Sequence, residues 1–161
     1  MLGSDYNVTN FGVSGTTVTS PEIPYFYQPK FEEAKEYLPN IAVIMLGTND
    51  ARADHFKSID YFVADYMELI TTIQELGSKP EIFLVKPPPI FENILELNNT
   101  NLVDEIIPRI EQIANDLNLH IIDVYTVLEN HPEYFPDGVH PNSEAAKIIA
   151  EEVYEAITTL H

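Results

Sequence analysis

The chain has 161 residues, a length that suits one domain around a single core. Its formal net charge is −18, from 26 acidic residues against 8 Lys and Arg. That balance opposes binding to nucleic acid or to an anionic membrane surface, because phosphate contacts need Lys and Arg. There is no cysteine, which excludes disulfides and thiolate chemistry. No apolar run is long enough to predict a transmembrane helix.

In chain order, "YNVTNFG" (Tyr6 to Gly12) reads as a short strand ending in Gly. "TSPEIPYFYQPKF" (Thr19 to Phe31) follows as a connection rich in Pro and aromatics. "IAVIMLG" (Ile41 to Gly47) is short, β-branched and nearly all apolar, the pattern of a parallel strand covered on both faces. Ile59, Phe62, Val63, Tyr66, Ile70 and Ile73 then recur at helical spacing, with Gly77 as the stop. "EIFLVKP" (Glu81 to Pro87) is a further buried strand. It leads into "PPPIFENILELNN" (Pro87 to Asn99), long for a connection in such a fold. The long connections are expected to wall a pocket, or else Tyr25, Phe26, Tyr27 and Phe91 cap the core. Val103, Ile106, Ile107, Ile110, Ile113 and Leu117 form a second helical stripe, which kinks or starts at Pro108. "HIIDV" (His120 to Val124) is another strand. Ala146, Ile149, Ala150, Val153, Ile157 and Leu160 make the last helix, with Asn142 or Ser143 as its N-cap.

Strand and helix alternate, which predicts a parallel sheet with helices on both faces. Sites in such sheets lie beyond the carboxyl ends of the strands. The loops after Gly12, Gly47, Pro87 and Val124 therefore share one rim.

Three short motifs fall on that rim. "GTND" (Gly47 to Asp50) follows a strand, and Asn49 there can aim an amide N–H at an oxyanion; by itself it also reads as a turn or helix cap. "FPDGVHPN" (Phe135 to Asn142) sets Asp137 and His140 three apart. Asp137 can accept from the imidazole Nδ1–H and leave Nε2 as a general base; by itself this also reads as a surface turn. The other histidines, His55, His120, His131 and His161, show no such neighbour in sequence. No HExxH-like spacing indicates a metal site. "NFGVSGTT" (Asn10 to Thr17) offers Gly15, whose backbone N–H can approach a ligand without a Cβ in the way; by itself it is a Gly-Ser turn.

In this order and at these strand ends, the three motifs together resemble the SGNH hydrolases, also called GDSL esterases. The resemblance covers nearly the whole chain. It matches Gly15 of "SGTT" to the oxyanion glycine, Asn49 of "GTND" to the oxyanion asparagine, and Asp137 and His140 of "DGVH" to two members of a Ser-His-Asp triad. It implies a three-layer α/β/α flavodoxin-like sandwich with strand order 2-1-3-4-5. It also implies a Gly-Asp-Ser block carrying the nucleophile at the end of the first strand. No such block occurs in this sequence. Ser4 of "LGSD" has its neighbours in the wrong order, and Ser14 belongs to the glycine block. The chain thus reads as a single domain over residues 1–161, shortened at its N-terminus relative to the family and without the central first strand.

The resemblance implies an ester hydrolase of acyl or acetyl esters, with carbohydrate esters as plausible substrates and no metal or organic cofactor. A second reading is a non-catalytic remnant or binding protein that retains the oxyanion pocket. A flavodoxin-like nucleotide binder has little support, since no Gly-rich phosphate loop follows a strand. The strand edges left open by the absent first strand predict a homo-oligomer. The compartment depends on the start: cytoplasmic if Met1 is the true N-terminus, secreted or periplasmic if a segment precedes it.

Overall fold

A computed structural model describes residues 6–19 and 23–160. Its sheet has three parallel strands in the order β1 (Ile41–Ile44), β2 (Glu81–Lys86) and β3 (His120–Asp123). The register sets Ile41 beside Glu81 and Val43 beside Phe83, then Phe83 beside His120 and Val85 beside Ile122. These are the three apolar runs expected as strands. Their near-continuous hydrophobicity follows from helices on both faces.

One face carries α2 (Phe62–Gln74) and α4 (Ile107–Leu117). Phe62, Tyr66, Ile70, Ile106, Ile110 and Ile113 are fully buried there against Ile44, Ile82 and Leu84. The other face carries α6 (Ser143–Leu160) and the short α5 (Val124–Leu128). Phe83, Val85, Ile122, Val124, Leu128 and Ile157 form this second core. The result is the expected three-layer α/β/α arrangement. Asn142 caps α6, its Oδ1 accepting from Glu144 N (3.0 Å) and Ala145 N (3.1 Å). Pro108 sits in the first turn of α4, where a missing N–H costs least. Before it lie α3 (Asn99–Asn101) and a π-helical turn, Leu102–Ile106.

Tyr6–Gly12, expected as a strand, is irregular. A strand exists only by pairing, and among the described residues β1 pairs with β2 alone. With no ladder beside it, the segment finds other donors. Tyr25 Oη donates to the Phe11 carbonyl (2.9 Å), and Tyr37 Oη, at the end of α1 (Pro29–Tyr37), donates to that of Asn7 (3.3 Å). Ser4 lies outside the described residues.

The two long connections are ordered by their own contacts. Tyr25 and Phe26 pack on the first core and Phe91 on the second, whereas Tyr27 is exposed. After β2, Asn93 organises a turn alone. Its Nδ2 donates to the carbonyls of Phe91 and Leu97, and its Oδ1 accepts from the N–H groups of Leu95 and Leu97.

Candidate active site

Asp137 and His140 meet as the spacing requires. Gly138, at φ +81°, turns the chain between them. Asp137 Oδ1 accepts from His140 N (2.7 Å) and Val139 N (3.0 Å), and Oδ2 meets His140 Nδ1 at 2.6 Å. Those backbone and ring donors, His140 N first, hold the Asp137 carboxyl far below the usual carboxylate range. With Nδ1 engaged as the donor, the imidazole carries its lone pair on Nε2. Both side chains are solvent-accessible, 49% for Asp137 and 66% for His140. The turn is pinned from outside. Gly138 O accepts from Phe91 N (2.8 Å), and a Cβ on Gly138 would run into the Glu92 carbonyl. Only glycine fits there, because φ and space both forbid a side chain.

Gly15 and Asn49 belong to a second unit. β1 ends in Gly47, at φ +119°, where a Cβ would approach Ile106 Cγ2 to 2.9 Å. A short 3₁₀ turn, Asn49–Ala51, then presents Asn49. Asn49 Nδ2 donates to Thr16 O at 2.9 Å, next to Gly15. Gly15 has φ +78° and open space where a Cβ would stand. Asn49 is anchored behind by its own carbonyl, which meets His55 Nδ1 at 2.8 Å.

Asp50, the residue after Asn49, carries the join between the two motifs. It is 1% exposed. Its carboxylate accepts from Val18 N (2.9 Å), Thr19 N (2.9 Å) and Thr19 Oγ1 (2.9 Å). Burial pushes its pKa up, and the Thr19 and Val18 donors pull against that. Sequence reasoning singled out Asn49 and passed over Asp50. The available signal was an acidic residue directly after Asn49 at a strand end.

Among the described residues three other histidines, His55, His120 and His131, also lie near carboxylates, His55 Nε2 at 3.9 Å from Asp54 Oδ1. His120 Nε2 lies 3.1 Å from Glu81 Oε1 across the sheet, and His131 Nδ1 lies 2.9 Å from Glu133 Oε1 on the surface. A cavity of about 370 Å³ runs between β3 and α6, lined by His120, Asp123, Glu152 and Glu155 among others. Gly15, Asn49, Asp137 and His140 are not in its lining. Among the described residues, no helix is long and apolar enough to cross a membrane.

A parallel three-stranded sheet between two layers of helices, with Asn49 in the turn after β1 and the Asp137–His140 turn just ahead of α6, defines a three-layer α/β scaffold. The profile of the GDSL-like lipase/acylhydrolase family matches residues 1–148, and the chain belongs to that family. An acetylxylan esterase of Xylanibacter ruminicola is 31% identical over 98% of this chain and 37% of its own length. The chain spans 52% of a rice GDSL esterase/lipase at 19% identity, so it covers about a third to a half of these relatives. Among solved structures, a carbohydrate acetylesterase from Sinorhizobium meliloti superposes with a TM-score of 0.76 at 16% identity, over 99% of this chain and 81% of that one. A GDSL-like lipase from Bacteroides thetaiotaomicron superposes with a TM-score of 0.68 at 26% identity, over 92% and 74%.

Proposed function

We propose that this chain carries the base and oxyanion half of a serine esterase site acting on acetyl esters of carbohydrates. The observation that carries the reading is the 2.6 Å Asp137–His140 contact in a turn that follows the family's order of motifs. In this reading His140 Nε2 takes the proton from an attacking serine hydroxyl and returns it to the leaving sugar oxygen. Asp137 fixes the tautomer and stabilises the imidazolium. The Gly15 N–H and the second N–H of the Asn49 amide, the one not given to Thr16, face the developing oxyanion. The acetyl and carbohydrate preference rests on the names of the relatives, acetylxylan esterase and carbohydrate acetylesterase.

The nucleophile is assigned to no residue of this chain, which contains no Gly-Asp-Ser block. Ser14 is exposed and sits in the turn that shapes the glycine motif. A second reading is that the pocket binds an acetylated sugar or a carboxylate without turning it over.

The test is hydrolysis of p-nitrophenyl acetate and acetylated xylan by two proteins. One is the chain itself, and the other is the chain preceded by a strand–Gly-Asp-Ser–helix–strand segment. Losing the nucleophile of a serine hydrolase lowers kcat by about 10⁶-fold, so the chain alone should be nearly inactive and the extended form active. An inactive extended form that binds acetyl xylo-oligosaccharide would overturn the catalytic reading in favour of the binding one. Equal rates in both forms would place the nucleophile within this chain.

A further inference from the structure

The two units of the candidate site are joined by one segment, residues 91–101. At its start Phe91 N donates to Gly138 O (2.8 Å). A Cβ on Gly138 would meet the Glu92 carbonyl and come within 3.1 Å of Asn93 Cβ, so the Asp137–His140 turn leans on this segment. At its far end the segment holds Ala51, the last residue of the 3₁₀ turn that presents Asn49. The Ala51 carbonyl accepts from Asn98 N (3.3 Å) and Asn101 Nδ2 (3.1 Å), and Arg52 forms an antiparallel bridge with Leu97. Ala51 and Leu97 are both buried, which seals that joint.

Fully extended, the stretch from Phe91 to Leu97 would span about 20 Å. One side chain folds it back. Asn93 Nδ2 donates to Phe91 O at 2.8 Å and to Leu97 O at 2.9 Å, so a single nitrogen holds both ends. Its Oδ1 accepts from Leu95 N (3.0 Å) and Leu97 N (3.2 Å). The carboxamide thus uses both of its N–H donors and both acceptor positions. Residues 91–97 contain no glycine, and Glu96 takes φ +59°, a conformation that a residue with a side chain holds where its surroundings impose it. An outer tie encloses this turn, with Asn99 Oδ1 accepting from Ile90 N (2.9 Å).

We propose that Asn93 is a positioning residue, which sets the separation between His140 and Asn49 by clasping Phe91 to Leu97. The proposal rests on the esterase reading of those two groups. Asp137 and His140 fix each other through local bonds, but local bonds do not fix where the pair stands relative to Asn49. The base and the oxyanion donor must reach one reacting centre, and a misplacement of about 1 Å costs about 10²-fold in rate.

The first measurement is NMR of the chain as it stands, following the imidazole ¹⁵N resonances of His140 and the side-chain amide of Asn49. Asn93→Ala should move both sets, although Asn93 bonds to neither residue. The Asn99 tie should keep the variant folded. Asn93→Asp keeps acceptors for Leu95 N and Leu97 N but has no donor for the two carbonyls, and it decides the matter if Asn93→Ala folds poorly. Asn101→Leu, at the far joint, should move the His140 resonances. Ile113→Val, a stability control in the core of α4, should lower Tm and leave both sets in place. The second measurement is hydrolysis of p-nitrophenyl acetate by the serine-bearing extended form. There Asn93→Ala should lower kcat by up to about 10²-fold with KM nearly unchanged. Shifts confined to residues 91–97 overturn the proposal. So does a parental kcat in Asn93→Ala, or a control that moves both sets as far. An extended form inactive in every variant fails the esterase reading instead, and the resonances then decide the coupling by themselves.

Discussion

Asp50 and Asp137 are both carboxylates that collect backbone N–H groups. Their surroundings are opposite. Asp50 is sealed beneath Val18 and Thr19, residues that come from more than thirty positions earlier in the chain. Asp137 holds only residues within three positions of itself and stands in water. Burial raises the pKa of the first, and local hydrogen bonds lower that of the second. The pair separates two functions of one chemical group. A buried carboxylate with long-range donors stitches the fold, whereas an exposed one with local donors orients a neighbouring ring.

The comparison breaks first in activity. In the extended, serine-bearing form, Asp137→Asn should lower kcat by about 10⁴-fold through the wrong imidazole tautomer, with Tm nearly unchanged. Asn49→Ala in the same form should cost about 10²–10³ in kcat, the range for removing one oxyanion donor. A Tm loss in Asp137→Asn as large as that of an Asp50 variant would erase the distinction.

Stability comes next. Asp50→Ala in the chain as it stands should cost about 2–5 kcal/mol, because it leaves the Val18 and Thr19 donors buried without an acceptor. Urea unfolding reads this directly. Gly138→Ala tests the same region from the other side. Positive φ and the Glu92 carbonyl together should cost about 3 kcal/mol, seen in the same unfolding curves.

Acid titration sharpens the contrast through its sign. Asp137 has a folded pKa below its unfolded value, so its contribution is fully present above about pH 4 and is lost as pH falls through the folded value. Asp50 has a folded pKa above its unfolded value. The folded state therefore takes up that proton first, and this group opposes acid unfolding between the two values. Below about pH 4, Asp137→Asn should lose less stability than the parent, and Asp50→Asn should lose more. Unfolding midpoints measured between pH 2 and 6, relative to each protein at neutral pH, check both signs.

The smallest effect belongs to Ser14→Ala. The residue is exposed, and the substitution should move stability by less than about 0.5 kcal/mol and leave any residual hydrolysis where it was. A clear fall in activity would make Ser14 the nucleophile.

The Asp137–His140 contact of the candidate site was legible because it is local. Asp137 and His140 lie three residues apart around a glycine, so a turn alone brings carboxylate to imidazole. The three sheet strands and the helix stripes were legible for a similar reason, since a covered parallel strand writes itself as an unbroken apolar run. Tyr6–Gly12 failed the same test. Its composition suits a strand, but strand structure requires a neighbour to supply the ladder, and among the described residues none lies beside it. His120 shows the limit in side chains: its partner Glu81 comes from another strand, and only the β2–β3 register, with Phe83 beside His120, brings Glu81 two residues earlier within reach.

The sequence by itself determined the alternation of strands and helices, the family to which the chain belongs, and the Asp137–His140 dyad, because each is encoded in periodicity or in spacing of a few residues. Tertiary structure alone decided that Asp50 binds Val18 and Thr19 and that Gly138 lies under the Glu92 carbonyl. Those outcomes depend on which distant segments pack together. Contact between residues far apart in the chain is fixed by the packing of the whole sheet and its helices, and no local pattern records it.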